Sequence, residues 1–115
     1  MPKLAEDRAF WEARVAERAK ARWQLVIENK YAEAYQFFSE ASRQGLTVET
    51  FERQMRSVGV KSVTVKSVQC GAERCQANLE TVVEYAIPRI GRRSMPLPVD
   101  EVWVVSNKDA HIVRR

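Results

Sequence analysis

The residues that could carry chemistry are few and scattered. His111 is the only histidine in 115 residues, Asp100 and Glu101 adjoin in one run, and Tyr31 and Tyr35 sit one helical turn apart. A general base needs a proton within reach and a partner that orients it. Nothing in the spacing of these residues supplies both. Adjacent acids at the start of a β-patterned run are ordinarily solvated, a single histidine on a strand is ordinarily half-exposed, and tyrosines on one helix face are ordinarily core aromatics with a wet hydroxyl. A metal centre fares no better. One histidine and two cysteines leave a tetrahedral site short of four ligands, so no metal and no cofactor is expected.

The cysteines point elsewhere. Cys70-Gly71-Ala72-Glu73-Arg74-Cys75 sets a cysteine at each end of a four-residue turn between two β-patterned segments, where cross-strand Cα atoms come within disulfide reach. The expectation is a hairpin-closing disulfide and, with it, an oxidising compartment such as the periplasm. The alternative is two reduced thiols flanking a turn in a cytoplasmic protein.

Basic residues outnumber acidic ones by 19 to 15, for a formal charge of +4. Arginines form three groups: Arg14, Arg18 and Arg22 at helical spacing, Arg89, Arg92 and Arg93 in one loop-like stretch, and Arg114 with Arg115 at the end. Such groups can contact phosphate. Yet Glu12, Glu17, Glu73, Glu80 and Glu84 are interspersed with them, and exposed aromatics arranged for base stacking are missing. A solvated basic face is the expectation, with nucleic acid an unfavoured partner. No apolar run approaches the roughly 18 residues of a membrane span, and Met1 to Asp7 lacks the apolar region of a signal peptide. Membrane contact is expected only through an anchor absent from this chain.

The elements that must position these residues divide at Gly59. Lys3 to Gln44 contains neither Pro nor Gly and reads as one long helix. Its apolar stripe runs Trp11, Val15, Ala19, Trp23, then Val26, Ile27, Tyr31, Ala34, Tyr35 and Phe38. Unbroken, it would extend about 60 Å, against a radius of gyration of about 13 Å for a globule of this size. It must bend near residues 18 to 24, or residues 1–20 must form an arm, projecting or folded back to bury Trp11. Gly45 is expected to end this helix as a C′ glycine, and Thr47 to cap a short second helix bearing Val48, Phe51, Met55 and Val58.

Past Gly59 the pattern is β. Cys75, Ala77, Leu79, Val83, Tyr85 and Ile87 share one face of a strand. In the preceding strand Val63 and Val65 alternate in one phase, Val68 and Cys70 in the other, which predicts a β-bulge at Lys66-Ser67 if all four face inward. Residues 88 to 98, with three prolines, one glycine and three arginines, read as a loop. Val99 to Ser106 and Ala110 to Arg114 read as the last strands, joined by a turn at Asn107-Lys108-Asp109.

A long helix with Arg22-Trp23-Gln24-Leu25 and Tyr31-Ala32-Glu33-Ala34-Tyr35, a short helix with Phe51, and strands reading Asp100-Glu101-Val102-Trp103-Val104 and His111-Ile112-Val113-Arg114 together resemble the nuclear-transport-factor-two-like, or cystatin-like, α+β cone. The resemblance covers roughly residues 20 to 115 and is one of pattern and order. It implies an α+β fold with a long and a short helix packed on a curved antiparallel sheet of about four strands. The domain would span residues 21–115, with residues 1–20 an arm or an extension of the first helix. That superfamily includes isomerases, dehydratases and epoxide hydrolases beside non-enzymatic binding domains. The poverty in ionisable groups favours a non-catalytic interaction or small apolar ligand-binding domain, self-associating as a homodimer through the sheet face or the arm, with the arm open to a partner protein. Lining residues for such a ligand would be Tyr31, Tyr35, Leu79, Val83, Tyr85 and Trp103. The competing reading is a cofactor-free isomerase or hydrolyase with Asp100 or His111 as base and Tyr35 as donor.

Overall fold

A computed structural model describes residues 7–106 and 109–114. The helices come first: α1 (Arg8–Ile27), α2 (Tyr31–Tyr35), α3 (Glu40–Gln44) and α4 (Val48–Arg56). Four strands follow, β1 (Val60–Cys70), β2 (Arg74–Ile87), β3 (Gly91–Val105) and β4 (Ala110–Val113), in one antiparallel sheet of order β1-β2-β3-β4. The chain is therefore α+β, with helices packed on one face of the sheet. Of the predicted turn at residues 107 to 109, Asn107 and Lys108 lie outside the described residues.

The long helix stops earlier than its composition suggests. Asn29 adopts φ 64°, Lys30 donates its amide to the Leu25 carbonyl and Asn29 donates to Val26, which is the paired bonding of a Schellman cap. Asparagine tolerates the left-handed conformation that glycine usually fills, so a helix can end without Pro or Gly. Gly45, with φ −99°, makes no left-handed cap, correcting the predicted terminus. Ending α1 at Ile27 also resolves the length conflict, because 20 residues span only about 30 Å. The break falls at residues 28–30, later than the 18–24 expected.

The helix runs along the sheet over its full length. Trp11, Val15, Ala19, Trp23 and Val26 are all buried, so residues 8–20 continue α1 and bury Trp11 instead of projecting as an arm. Phe10 beside it stays exposed. Thr47 caps α4 as expected, its hydroxyl accepting from the Thr50 amide at 3.2 Å. Phe51 carries α4 into the core, in edge contact with Phe38.

Register confirms the phase change in β1. Val68 pairs with Ala77 and Cys70 with Cys75, while Val65 pairs with Leu79, leaving Lys66 as the extra residue before Ser67. A second shift, between Val60 and Ser62, was not signalled by the pattern. Both bend the strand. At the chain's divide, a Cβ on Gly59 would lie 2.6 Å from the Glu84 carbonyl oxygen. The Glu84 amide donates to Gly59 at 2.7 Å, so glycine is what lets the backbones meet there.

The segment read as a loop is instead a strand. Residues 91 to 98 pair with 80 to 87 of β2, correcting the reading of residues 88 to 98. Prolines interrupt a sheet only where their missing N–H is needed. β4 pairs β3 only from Val102 to Val105, so among the described residues Pro96 and Pro98 stand on an edge without a strand partner. β1 in turn ends its pairing at Val83. Beyond that point, among the described residues, β2 and β3 run on as a two-stranded ribbon.

Candidate functional site

The best-built polar cluster lies inside the core, around a residue the sequence reading placed in solvent. Glu101 is 5% exposed and Arg22 4%. Arg22 Nη1 donates to Glu101 Oε2 at 3.0 Å, Trp23 Nε1 to the same oxygen at 2.7 Å, and Trp103 Nε1 to Oε1 at 3.2 Å. Both carboxylate oxygens thus have donors, as a buried charge requires. The guanidinium also lies over the rings of Trp23, Phe38 and Phe51 at 5.1–5.7 Å. Burial pulls the Arg22 pKa below its ordinary value, with Glu101 opposing. Arg22 Nε is the one buried side-chain polar atom without a partner among the described residues.

The register explains the difference. A strand starting at Val99 would put Glu101 near its solvated start. Because β3 begins at Gly91, Glu101 is mid-strand, opposite Ala77 and two residues from Trp103, hence on the inner face. A usable signal was present: Glu101 shares the parity of Val99 and Trp103, and an Arg-Trp pair stands on the facing helix.

The rest of the arginine ridge is also engaged. Arg14 grips Asp109 with two hydrogen bonds, Nε to Oδ1 at 3.0 Å and Nη2 to Oδ2 at 2.6 Å. Arg18 Nε donates to the Ala110 carbonyl at 2.7 Å, and its guanidinium stacks over Phe37. The hydrogen bonds from Arg14 hold Asp109 below the usual carboxylate range. Arg14, Arg18 and Arg22 therefore tie α1 to β3 and β4, and the expected solvated face is corrected to a structural seam.

The candidate catalytic residues do not converge. Asp100 is exposed and opposes Asn78 on the outer face. His111 alternates with the buried Ala110 and Ile112, which places it on that same outer face; burial and the Arg18 charge lower its pKa. Tyr35 lies on the helical side, its hydroxyl against the Leu46 and Arg43 carbonyls. The sheet separates base from donor.

Of the residues predicted to line a ligand pocket, Tyr31, Leu79 and Trp103 are buried in the core. The Tyr31 hydroxyl donates to Asn29 at 2.8 Å, securing the break after α1. Val83 is half-buried and Tyr85 is 44% exposed. Leu79, Val83 and Tyr85 do share the inner face of β2, but as a passage from core to solvent. Three surface clefts of about 430, 350 and 540 Å³ are lined by none of these residues. The second lies against Cys70 and Cys75, which form the expected disulfide. Among the described residues no cluster of His, Cys, Asp or Glu could hold a metal, and no helix is long and apolar enough to cross a membrane.

What the sequence reading missed is the distal ribbon. Leading into it, the inner-facing β2–β3 pairs are Thr81 with Leu97 and Val83 with Met95, and within the ribbon itself Tyr85 with Arg93. Leu97 is 40% exposed, Met95 43% and Tyr85 44%. The core face of the sheet overshoots the helices.

No protein-family model matches the chain, and no curated protein matches it in sequence. Among solved structures, the crystal structure of a SEC-C motif containing protein from Psychrobacter arcticus is similar, with a TM-score of 0.59 at 9% identity, covering 81% of this chain and 54% of that one. At that identity the likeness concerns the fold alone. This chain spans about half of that protein's length.

Proposed function

We propose that the chain is a non-catalytic interaction domain of the cone-like α+β class, self-associating face to face through the distal end of the β2–β3 inner face. The cone-like reading is supported by the two bulges that bend β1 and by helices gathered on one face. One observation carries the functional reading: the sheet's apolar inner face continues past the helices as Val83, Tyr85, Met95 and Leu97. An exposed apolar face of this kind favours a partner, and a second copy offers the same surface in a two-fold, self-complementary contact.

Edge-to-edge association is disfavoured by the same architecture. β1 is bulged and carries Lys61 and Lys66, the edge of β3 carries Pro96 and Pro98, and the edge of β4 is occupied by Phe38 bridging to Ile112. Each device blunts strand addition. The face remains. The non-catalytic part of the reading rests on the saturation of Glu101 and on the separation of Asp100 and His111 from Tyr35 by the sheet. Sedimentation equilibrium at high micromolar concentration tests the proposal: a dimer is expected, made monomeric by Met95→Ser with Leu97→Ser. A wild-type monomer would refute it.

A further inference from the structure

The tip of the ribbon differs from its inner face. Ile87 accepts at its carbonyl from the Ile90 amide at 3.1 Å, with Pro88 and Arg89 between them. Arg89 has φ 70° and Gly91 φ 109°. Proline followed by a residue with positive φ is the pattern of a type II turn, whose third position ordinarily belongs to glycine or asparagine. An arginine held there occupies a costly conformation in order to stand at the apex. Ile90 beside it is 59% exposed, the most exposed large hydrophobic described. Arg92 and Arg93 follow, also exposed. From Tyr85 to Val99 the sequence holds three arginines and no acid. The nearest carboxylate, Glu84, pairs with Arg92, whose side chain nevertheless stays 79% exposed.

We propose that this tip docks on an anionic lipid bilayer, Ile90 entering the headgroup and acyl boundary while Arg89, Arg92 and Arg93 meet lipid phosphates. An apolar apex ringed by arginines is complementary to that interface, where hydrophobic insertion and charge attraction add. Nucleic acid fits less well. The ribbon's one aromatic, Tyr85, lies on the inner face, away from the apex, so no ring at the tip is placed to stack on a base. The proposal rests on the ribbon being the contact surface of the domain.

The test is co-sedimentation of the full chain with vesicles of phosphatidylcholine containing roughly 30% phosphatidylglycerol, where anionic lipid sets the surface potential. Binding is expected there and not on pure phosphatidylcholine, weakening about fivefold per arginine replaced and about 100-fold in Arg89→Gln/Arg92→Gln/Arg93→Gln. Ile90→Ser is expected to weaken it about tenfold. Arg89→Gly serves as the control against misfolding, since it relieves the strained turn: binding should fall about fivefold while the melting temperature holds or rises. The proposal is overturned by absent binding to the anionic vesicles, by equal binding to neutral ones, or by full retention in the triple or Ile90 variant. Tighter binding to a short DNA duplex at the same salt would overturn it in favour of nucleic acid. Sedimentation of the same samples keeps the two readings apart: a monomer that binds anionic vesicles loses self-association and keeps the tip, and a dimer that ignores them does the reverse.

Discussion

Removing the charge of Arg22 by Arg22→Met leaves the Glu101 carboxylate buried, at 4% side-chain exposure, with two indole donors and no counter-charge. Breaking one partner of a buried ion pair costs about 3–5 kcal/mol. The lower end applies here, because Trp23 and Trp103 still hydrogen-bond the carboxylate, so about 3 kcal/mol is expected. Glu101→Gln strands the guanidinium instead and turns an amide donor toward an indole N–H, again for about 3 kcal/mol. The double variant carries no unpaired charge. Its cost should be about 3–4 kcal/mol, giving a coupling energy of about 2–3 kcal/mol where independent sites would add. Against a total stability of about 5–15 kcal/mol each single change is large and measurable. Urea unfolding followed by tryptophan emission reads it, because both indoles bonded to Glu101 report directly. Additivity within about 0.5 kcal/mol, or single variants costing under about 1 kcal/mol, would refute a tightly coupled buried pair.

Other consequences are equally open to measurement. Gly59→Ala sets a Cβ 2.6 Å from the Glu84 carbonyl oxygen and should cost about 1–3 kcal/mol in chemical denaturation. Opening Cys70–Cys75, which closes a span of five residues, should cost about 2 kcal/mol by loop entropy, seen as a lower melting temperature with reductant and none in Cys70→Ser/Cys75→Ser. Asp109 is held below its ordinary pKa by Arg14, so its contribution is present above about pH 4 and is lost as pH falls through the depressed folded value. Asp109→Asn should therefore destabilise at pH 7 and matter little near pH 2. His111, lowered by burial, contributes above about pH 6.5 and loses that contribution on acidification through its folded value; His111→Gln should flatten that part of the stability profile.

How much of this was legible follows residue by residue. The bulge at Lys66-Ser67 was readable because the phase of Val63 and Val65 conflicts with that of Val68 and Cys70, and only an inserted residue reconciles them. The disulfide followed from its turn, and the Thr47 cap from its position before Val48. The end of α1 was hidden because Asn29 does what glycine usually does, leaving no breaker in the composition. Strand β3 was hidden because Pro96 and Pro98 read as breakers, and only the short pairing of β4 reveals that they lie on an edge. That one error moved Glu101 from core to solvent and turned the ribbon into a loop. It concealed both the buried ion pair and the uncovered face.

Sedimentation equilibrium of the wild-type chain beside Met95→Ser/Leu97→Ser bears most directly on the central claim, because both side chains are at least 40% exposed and their loss should leave the monomer folded. A dimer that the double substitution converts to a folded monomer is the predicted result. A wild-type chain that stays monomeric at high micromolar concentration would contradict it.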